Sequence, residues 1–534
     1  RQLTLMFGKI NLECSPARQA DAIRGYLECE NDIRRFDSEV TEQMLSDFGE
    51  MSNLLYGRLF DQLELRLEAG TILPKHGPGS TASGHTSNGK YRNRSWTRRL
   101  QQAGFRCWEY GTATPVDEIV EGPLFDVVEP GAEEPVRVTF VPKTMKTPRI
   151  IAMEPTCMQY MQQGLYREFM RFFKRDRLLS RMIGFDDQTP NQRMAMAGSL
   201  GKGLATLDLS EASDRVSNQL VKTMFSRWPT VEQAIDATRS RRADVPLVET
   251  DWFGNSRVSN RKVQTIRLAK YASMGSALCF PMEAMVFTTL IFLGIQKSLN
   301  KPLTGEDIKS FSRSVRVYGD DLIVPEDHVL SVVEVLEHFG AKVGLSKSFW
   351  TGKFRESCGK EYYAGEDVSI VRVREVFPTR LQDADAVNSL VELRNQLYMA
   401  GYWDTVRWLD NRLGRILRYF PNKLPSSALL GRICSLGVTT PEVLGRKLER
   451  VDPNLQIPLV RGYRLQAKPP SDQLDGTGAL LKCLLKLEHG SLVPLGPYPQ
   501  LSLEEVSVMD SSEHLERSGR PQRVSIKLGW CSPR

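Results

Sequence analysis

Paired cysteines, clustered histidines and long apolar runs are what this chain has little of. Its nine cysteines are scattered without a Cys-x-x-Cys pair, and its six histidines show no ligand spacing, which excludes a zinc-built module. An odd cysteine count without a framework also excludes a disulfide scaffold and fits a reducing cytoplasm. No apolar run is read as reaching the length of a membrane span, the N-terminus has no signal-peptide pattern, and no internal repeat is found. The chain begins with Arg1 rather than Met, so a truncated start is expected.

What is present is a globular composition: 41% hydrophobic and 25% charged residues over 534 positions, more than one hydrophobic core usually supports. The net charge of +7 is compatible with a polyanionic partner without requiring one. Residues 1 to 70 carry helical spacing of apolar positions. From Lys75 to Arg99 the chain turns to Gly, Ser, Thr and cations, and Lys90, Arg92 and Arg94 alternate with Tyr91 and Trp96. Such a mixture either grips phosphates while stacking a base or forms a solvated loop. Strands are predicted around 134 to 155, a helix from about Met158 to Arg177, and a polar, basic insert from about 222 to 268. Helices return from Leu381 to about Arg418, with Trp403 and Trp408 as core or interface anchors, and beyond Pro453 the composition predicts loose packing.

The chemistry concentrates on carboxylates. Arg316-Val-Tyr-Gly-Asp-Asp-Leu-Ile-Val-Pro325 places Asp320 and Asp321 at a Gly turn between strand-forming residues. Adjacent acids repel, so this arrangement suits divalent cations, although a surface hairpin uses the same residues. Ala205-Thr-Leu-Asp-Leu-Ser-Glu-Ala-Ser-Asp214 delivers Asp208 at the end of an apolar strand, with Ser213 and Asp214 following on a helix. Asp208 beside Asp320 and Asp321 would make a two-ion Mg2+ site for phosphoryl transfer, with Mn2+ as a substitute. Asp321 is the third ligand or an outer partner, and Asp208 alone reads equally as a helix cap. Lys143, Lys146 and Arg149 recur on a loop-like segment that can aim cations at a triphosphate. Gly275 is expected where template or nucleotide approaches too closely for a Cβ. Ser357-Cys-Gly359 reads as a hairpin turn, and Tyr318 as a nucleic-acid contact or a packed aromatic.

The ordered series resembles the RNA-dependent RNA polymerases of the lineage that joins the RNA-bacteriophage replicases (levivirus type) with the ourmia-like and narna-like viruses. It runs from the basic segment Pro142–Arg149 through Asp208–Asp214, Ser273-Met-Gly-Ser276, Tyr318-Gly-Asp-Asp321 and Lys347-Ser-Phe-Trp to Phe354–Lys360. Phe354–Lys360 and Asp187-Gln-Thr189 look like the bacteriophage side. Gly275–Glu283, His76-Gly-Pro-Gly79 and Ser348-Phe-Trp350 look more like the ourmia-like branch, which is favoured.

The resemblance implies an α+β right hand. Residues 1–115 would be an N-terminal helical and fingers region, 116–200 fingers with the basic motif, and 201–378 a palm with an antiparallel sheet. Residues 379–455 would be a helical thumb and 456–534 a C-terminal extension. It implies template-directed RNA synthesis on single-stranded RNA from ribonucleoside triphosphates in the cytoplasm of a host cell. Host protein subunits are compatible with the sequence, which does not name them. Rival readings are a reverse transcriptase and an inactive RNA-binding scaffold. By resemblance Lys143, Lys146 and Arg149 line the nucleotide channel, and Lys347 is a general acid whose pKa partial burial lowers. Ser213, Asp214 and Ser273 select ribose, and Ser357 and Gly359 hold the primer end.

Overall fold

The computed structural model describes residues 1–111, 125–434, 450–468, 471–491, 513–516 and 523–534. Two helices lead. α1 (Pro16–Glu39) begins where the Ser15 hydroxyl accepts from Arg18 N, and α2 (Glu42–Glu68) where the Thr41 hydroxyl accepts from Met44 N. Ile23, Tyr26, Ile33 and Phe48, Leu55, Leu59 recur at three- and four-residue spacing and are buried. Strands β1 (Val136–Val141) and β2 (Arg149–Met153) precede helix α3 (Thr156–Arg175). Strand β3 (Leu204–Asp208) leads to helices α4 (Asn218–Phe225) and α5 (Pro229–Thr238), then to the hairpin of β4 (Arg242–Thr250) and β5 (Ser256–Arg267). Helix α6 (Cys279–Leu299), strands β6 (Arg316–Tyr318) and β7 (Asp321–Pro325), and helix α7 (Val329–His338) follow. After them come the hairpin β8 (Phe354–Ser357) and β9 (Lys360–Tyr363), and helices α8 (Ala384–Met399) and α9 (Trp403–Ile416). The last elements are β10 (Pro458–Lys468), α10 (Gly476–Ser491) and β11 (Arg523–Cys531).

The architecture is α+β. One four-stranded sheet runs β2-β1-β4-β5 with a parallel β1–β4 pair, and a three-stranded antiparallel sheet runs β3-β7-β6. Helix α6 lies inside the main core, packed against α2 and α7. It is apolar on every side because every side is buried. By length and composition it meets the criteria for a membrane span, which corrects the expectation that no stretch would.

Three further expectations change. The segment 222–268 is not simply a polar insert: Met224, Phe225, Val231 and Ile235 enter the main core, and Arg239 is buried, donating to the carbonyls of Leu268, Lys270 and Tyr271. Trp403 and Trp408 are exposed, which excludes the core reading of the two and leaves the interface one, because α9 gives its buried face to Val406, Leu409 and Leu413. Trp408 sits two residues past Val406, about 200° around the helix. The described part of the C-terminal stretch is ordered: β10 and β11 pair over nine positions, and Val460, Tyr463 and Leu474 are buried, since alternating apolar residues outweigh composition. The boundary expected at 115/116 lies outside the described residues, as does 435–449 of the expected helical thumb.

Candidate active site

The β3-β7-β6 sheet assembles the acids. β3 is apolar and almost wholly buried, and Asp208 at its end pairs across the ladder with Asp321. Asp320 falls in the β6–β7 turn, where Gly319 adopts φ +60 and a Cβ would stand 2.7 Å from the Phe280 ring. The sheet thus points Asp208 and Asp320 into one cavity of about 780 Å3. Asp321 turns the other way, its Oδ1 accepting from Cys358 N at 3.1 Å and from the Ser357 hydroxyl at 3.3 Å. That contact fixes the Ser357–Lys360 hairpin, whose Cys358 (φ 49) and Gly359 (φ 74) both lie in the left-handed region. Burial pushes Asp321 up to about 6, with Asp320 and Asp208 adding to it.

Lys347 reaches Asp208 from the other side, Nζ to Oδ1 at 3.0 Å and to Oδ2 at 3.2 Å. Burial holds the Asp208 carboxyl above the ordinary range despite this ammonium. The expectation of a lowered Lys347 pKa is corrected: partial burial works in that direction, but Asp208 wins and the pKa is raised. Among the described residues no group of three His, Cys, Asp or Glu side chains converges as a metal-ligand set.

Lys143 and Lys146, on the segment between β1 and β2, and Arg149, the first residue of β2, also line the cavity with their side chains partly open to solvent; partial burial together with Arg149 and Lys347 lowers the Lys143 pKa. The turn that presents them is tied by the Thr144 hydroxyl, which accepts from Lys146 N and Thr147 N. Gly275 also lines the cavity, at φ +131, but a Cβ there would lie 2.1 Å from the Ala152 carbonyl oxygen. The neighbour that requires glycine is therefore strand β2 rather than the ligand expected from sequence.

Of the polar groups assigned to the sugar, Ser213 and Asp214 line the cavity and Ser273 is buried just before its lining residues Met274 and Gly275. Asp214 Oδ1 accepts from Lys270 Nζ at 2.9 Å, and Ser273 Oγ bonds the Tyr26 hydroxyl at 2.8 Å. Ser213 is buried on the cavity wall. Tyr318 packs its ring against Phe280 and donates its hydroxyl to the Phe185 carbonyl, the packed arm of its two readings.

The N-terminal basic segment divides. Lys90 is buried and donates to the carbonyls of Gly77 and Gly79 and to Gln159 Oε1, so the phosphate-gripping role expected for it is corrected to that of an internal strut. Arg92 donates to the Gln473 carbonyl and faces Asp472 and Asp475, while Arg94 is exposed.

Sequence reasoning missed five residues near this site. Glu283, on α6, is pushed up to about 8 by burial and Asp320, and Glu356, on β8, to about 7 by burial and Asp321. A lone acid inside an apolar helix was the available signal for Glu283. Tyr26, Glu30 and Lys270 carried no signal, because two of them lie some 180 residues or more from the acids in sequence.

The family model described as "RNA replicase, beta-chain" matches residues 131–435. The RNA-directed RNA polymerase subunit beta of Qbeta virus (strain MX1) is 34% identical over 270 residues, 49% of this chain and 39% of its own length. The protein of the same name from Enterobacteria phage SP is 31% identical over 324 residues, 59% of this chain and 49% of its own. The chain thus spans two fifths to one half of these relatives. Both are bacteriophage proteins and bear on the levivirus side of the resemblance rather than on the ourmia-like branch. A solved chain titled "RdRp complex" aligns over 66% of this chain and 31% of its own with a TM-score of 0.36 and 12% identity, too distant to carry weight. The match to the family model spans more than half of the sequence and takes in the basic segment and Asp208, Asp214, Asp320 and Asp321, and the chain belongs to the RNA replicase beta-chain family.

Proposed function

We propose that this chain is an RNA-directed RNA polymerase built as a right hand, adding ribonucleotides to an RNA 3′ end under the direction of a single-stranded RNA template. The observation that carries the reading is one cavity lined together by Asp208 and Asp320, by Lys143, Lys146 and Arg149, and by Ser213 and Asp214. Two hard carboxylates opening on a cavity of about 780 Å3 fit Mg2+, which takes few protein ligands and completes its shell with phosphate and water. The Lys347 ammonium on both oxygens of Asp208 is in keeping with a cation-binding position. Bound there, Mg2+ or Mn2+ would activate the attacking hydroxyl and neutralise the leaving pyrophosphate. The cations would hold the triphosphate, and Asp214 and Ser273 would orient the ribose. Lys347, held charged beside Asp208, can give a proton to the departing pyrophosphate. The relatives are named as subunits, and partner subunits in a host cytoplasm are part of the same proposal.

Purified protein incubated with a homopolymer RNA, the complementary ribonucleotide and Mg2+ tests it. Template-dependent incorporation of ribonucleotide is expected. Preference for deoxyribonucleotides would make the chain a reverse transcriptase, and RNA binding without synthesis by the whole chain and its partners would make it a scaffold.

A further inference from the structure

Helix α1 precedes every residue matched by the family model, yet it forms one side of the cavity. Arg18, Asp21, Ala22, Gly25, Tyr26 and Cys29 line it, and their spacing of three and four residues is that of a single helical face. Three contacts bind this face to the groups assigned to the nucleotide. Arg18 Nη1 donates to the Met145 carbonyl at 2.7 Å, in the loop that presents Lys143 and Lys146. Tyr26 bonds Ser273 Oγ at 2.8 Å. Glu30 accepts from Ala269 N at 2.7 Å and lies 3.4 Å from Lys270 Nζ, whose ammonium sits over the Tyr26 ring and donates to Asp214.

This network divides the hydrogen-bonding capacity of Asp214 and Ser273. Lys270 engages Oδ1 of Asp214, and Oδ2 makes no hydrogen bond among the described residues, so it can accept from a sugar hydroxyl. Ser273 is buried immediately before the lining residues Met274 and Gly275, and when the Tyr26 hydroxyl donates to it, its own proton is free for a sugar hydroxyl that reaches it past them. A 2′-hydroxyl, both donor and acceptor, satisfies both groups, and a 2′-deoxy sugar leaves both unpaired.

We propose that α1 is the sugar-selecting wall of the nucleotide cavity, with Tyr26 a positioning residue acting through Ser273 and Lys270 one acting through Asp214. The inference rests on the polymerase reading and extends it to a helix outside the matched family region. Gly25 offers a probe of the wall itself. A Cβ at Gly25 meets nothing within 4 Å, so a larger side chain enters open space rather than the core.

Single-nucleotide incorporation with matched ribo and 2′-deoxy substrates reads the effect. Tyr26→Phe keeps the ring over Lys270 and removes only the hydroxyl, and should lower the ribo-to-deoxy ratio of kcat/KM roughly tenfold. Lys270→Met should lower it further if the protein folds. Gly25→Phe should raise the KM for all nucleotides at unchanged melting temperature. An unchanged ratio in an active Tyr26→Phe enzyme, or an unchanged KM in Gly25→Phe, overturns the inference and leaves the polymerase reading standing. A wild-type protein that incorporates nothing overturns the polymerase reading instead. In that event, calorimetric binding of ATP against dATP to wild type and Tyr26→Phe still decides the role of α1.

Discussion

Cations from two basic segments meet opposite fates in this protein. Lys143, Lys146 and Arg149 stand exposed at the rim of the acidic cavity, and none forms an ion pair among the described residues. Lys90 and Arg99 are sealed inside: Lys90 is held by backbone carbonyls and Gln159, and Arg99 by Glu133 and the carbonyls of Asp236 and Arg239. The difference lies in the acceptors that surround each cation. A cation ringed by protein acceptors is a fastener, whereas one facing only a cavity and distant acids is available to a phosphate.

Substitutions can break or sharpen that contrast. The largest effect is expected at the acids that share the cavity with the open cations: Asp320→Asn should lower incorporation by at least about a thousandfold with the fold intact, since it removes a metal-binding oxygen at constant volume. Near wild-type activity would sink the assignment of Asp320. In the sealed segment, Lys90→Met should cost about 2 kcal/mol of stability, because two buried acceptors, the Gly77 carbonyl and Gln159 Oε1, lose their donor. A melting temperature equal to wild type would return Lys90 to the surface.

Beside that segment Glu154 is buried, accepts from the Ser240 hydroxyl, and is pushed up to about 7 from 4.5, chiefly by burial. Between those pH values the unfolded chain binds fewer protons than the folded one, so this group makes stability fall as pH rises from 4.5 to 7, by roughly 3 kcal/mol in all. Glu154→Gln should flatten that part of a denaturation series, and an unaltered slope would show that Glu154 ionises freely. The smallest effect belongs to the open cations. Lys143→Ala and Arg149→Ala should each raise the nucleotide KM about tenfold with no change in melting temperature. Weaker template binding at constant KM would move both to the template path.

Much of the site was legible because its parts are local. The Gly319 turn, the apolar strand ending at Asp208 and the Thr144-tied basic loop each announce themselves within about ten residues, and the structure places all three on one cavity. What was illegible depended on neighbours far along the chain. Gly275 was read correctly as a place of close approach, but the approaching group is the Ala152 carbonyl, 123 positions earlier. Lys347 was read as a partly buried cation with a lowered pKa, and Asp208 reverses the direction. Size alone does not say whether Trp403 and Trp408 are core or interface residues, and helix phase gives the core to Val406, Leu409 and Leu413.

The amino-acid order by itself determined the alternation of helices and strands, the order of the acidic and basic segments, and the residue types of the cavity. These depend on side-chain periodicity and turn chemistry, which act between near neighbours. Only the tertiary structure decided that Asp320 opens on the cavity while Asp321 fastens a hairpin, that Lys90 is a strut, and that Tyr26 and Lys270 stand behind Ser273 and Asp214. Each of those outcomes turns on which acceptor or donor lies within about 3 Å, a distance set by the packing of segments far apart in sequence.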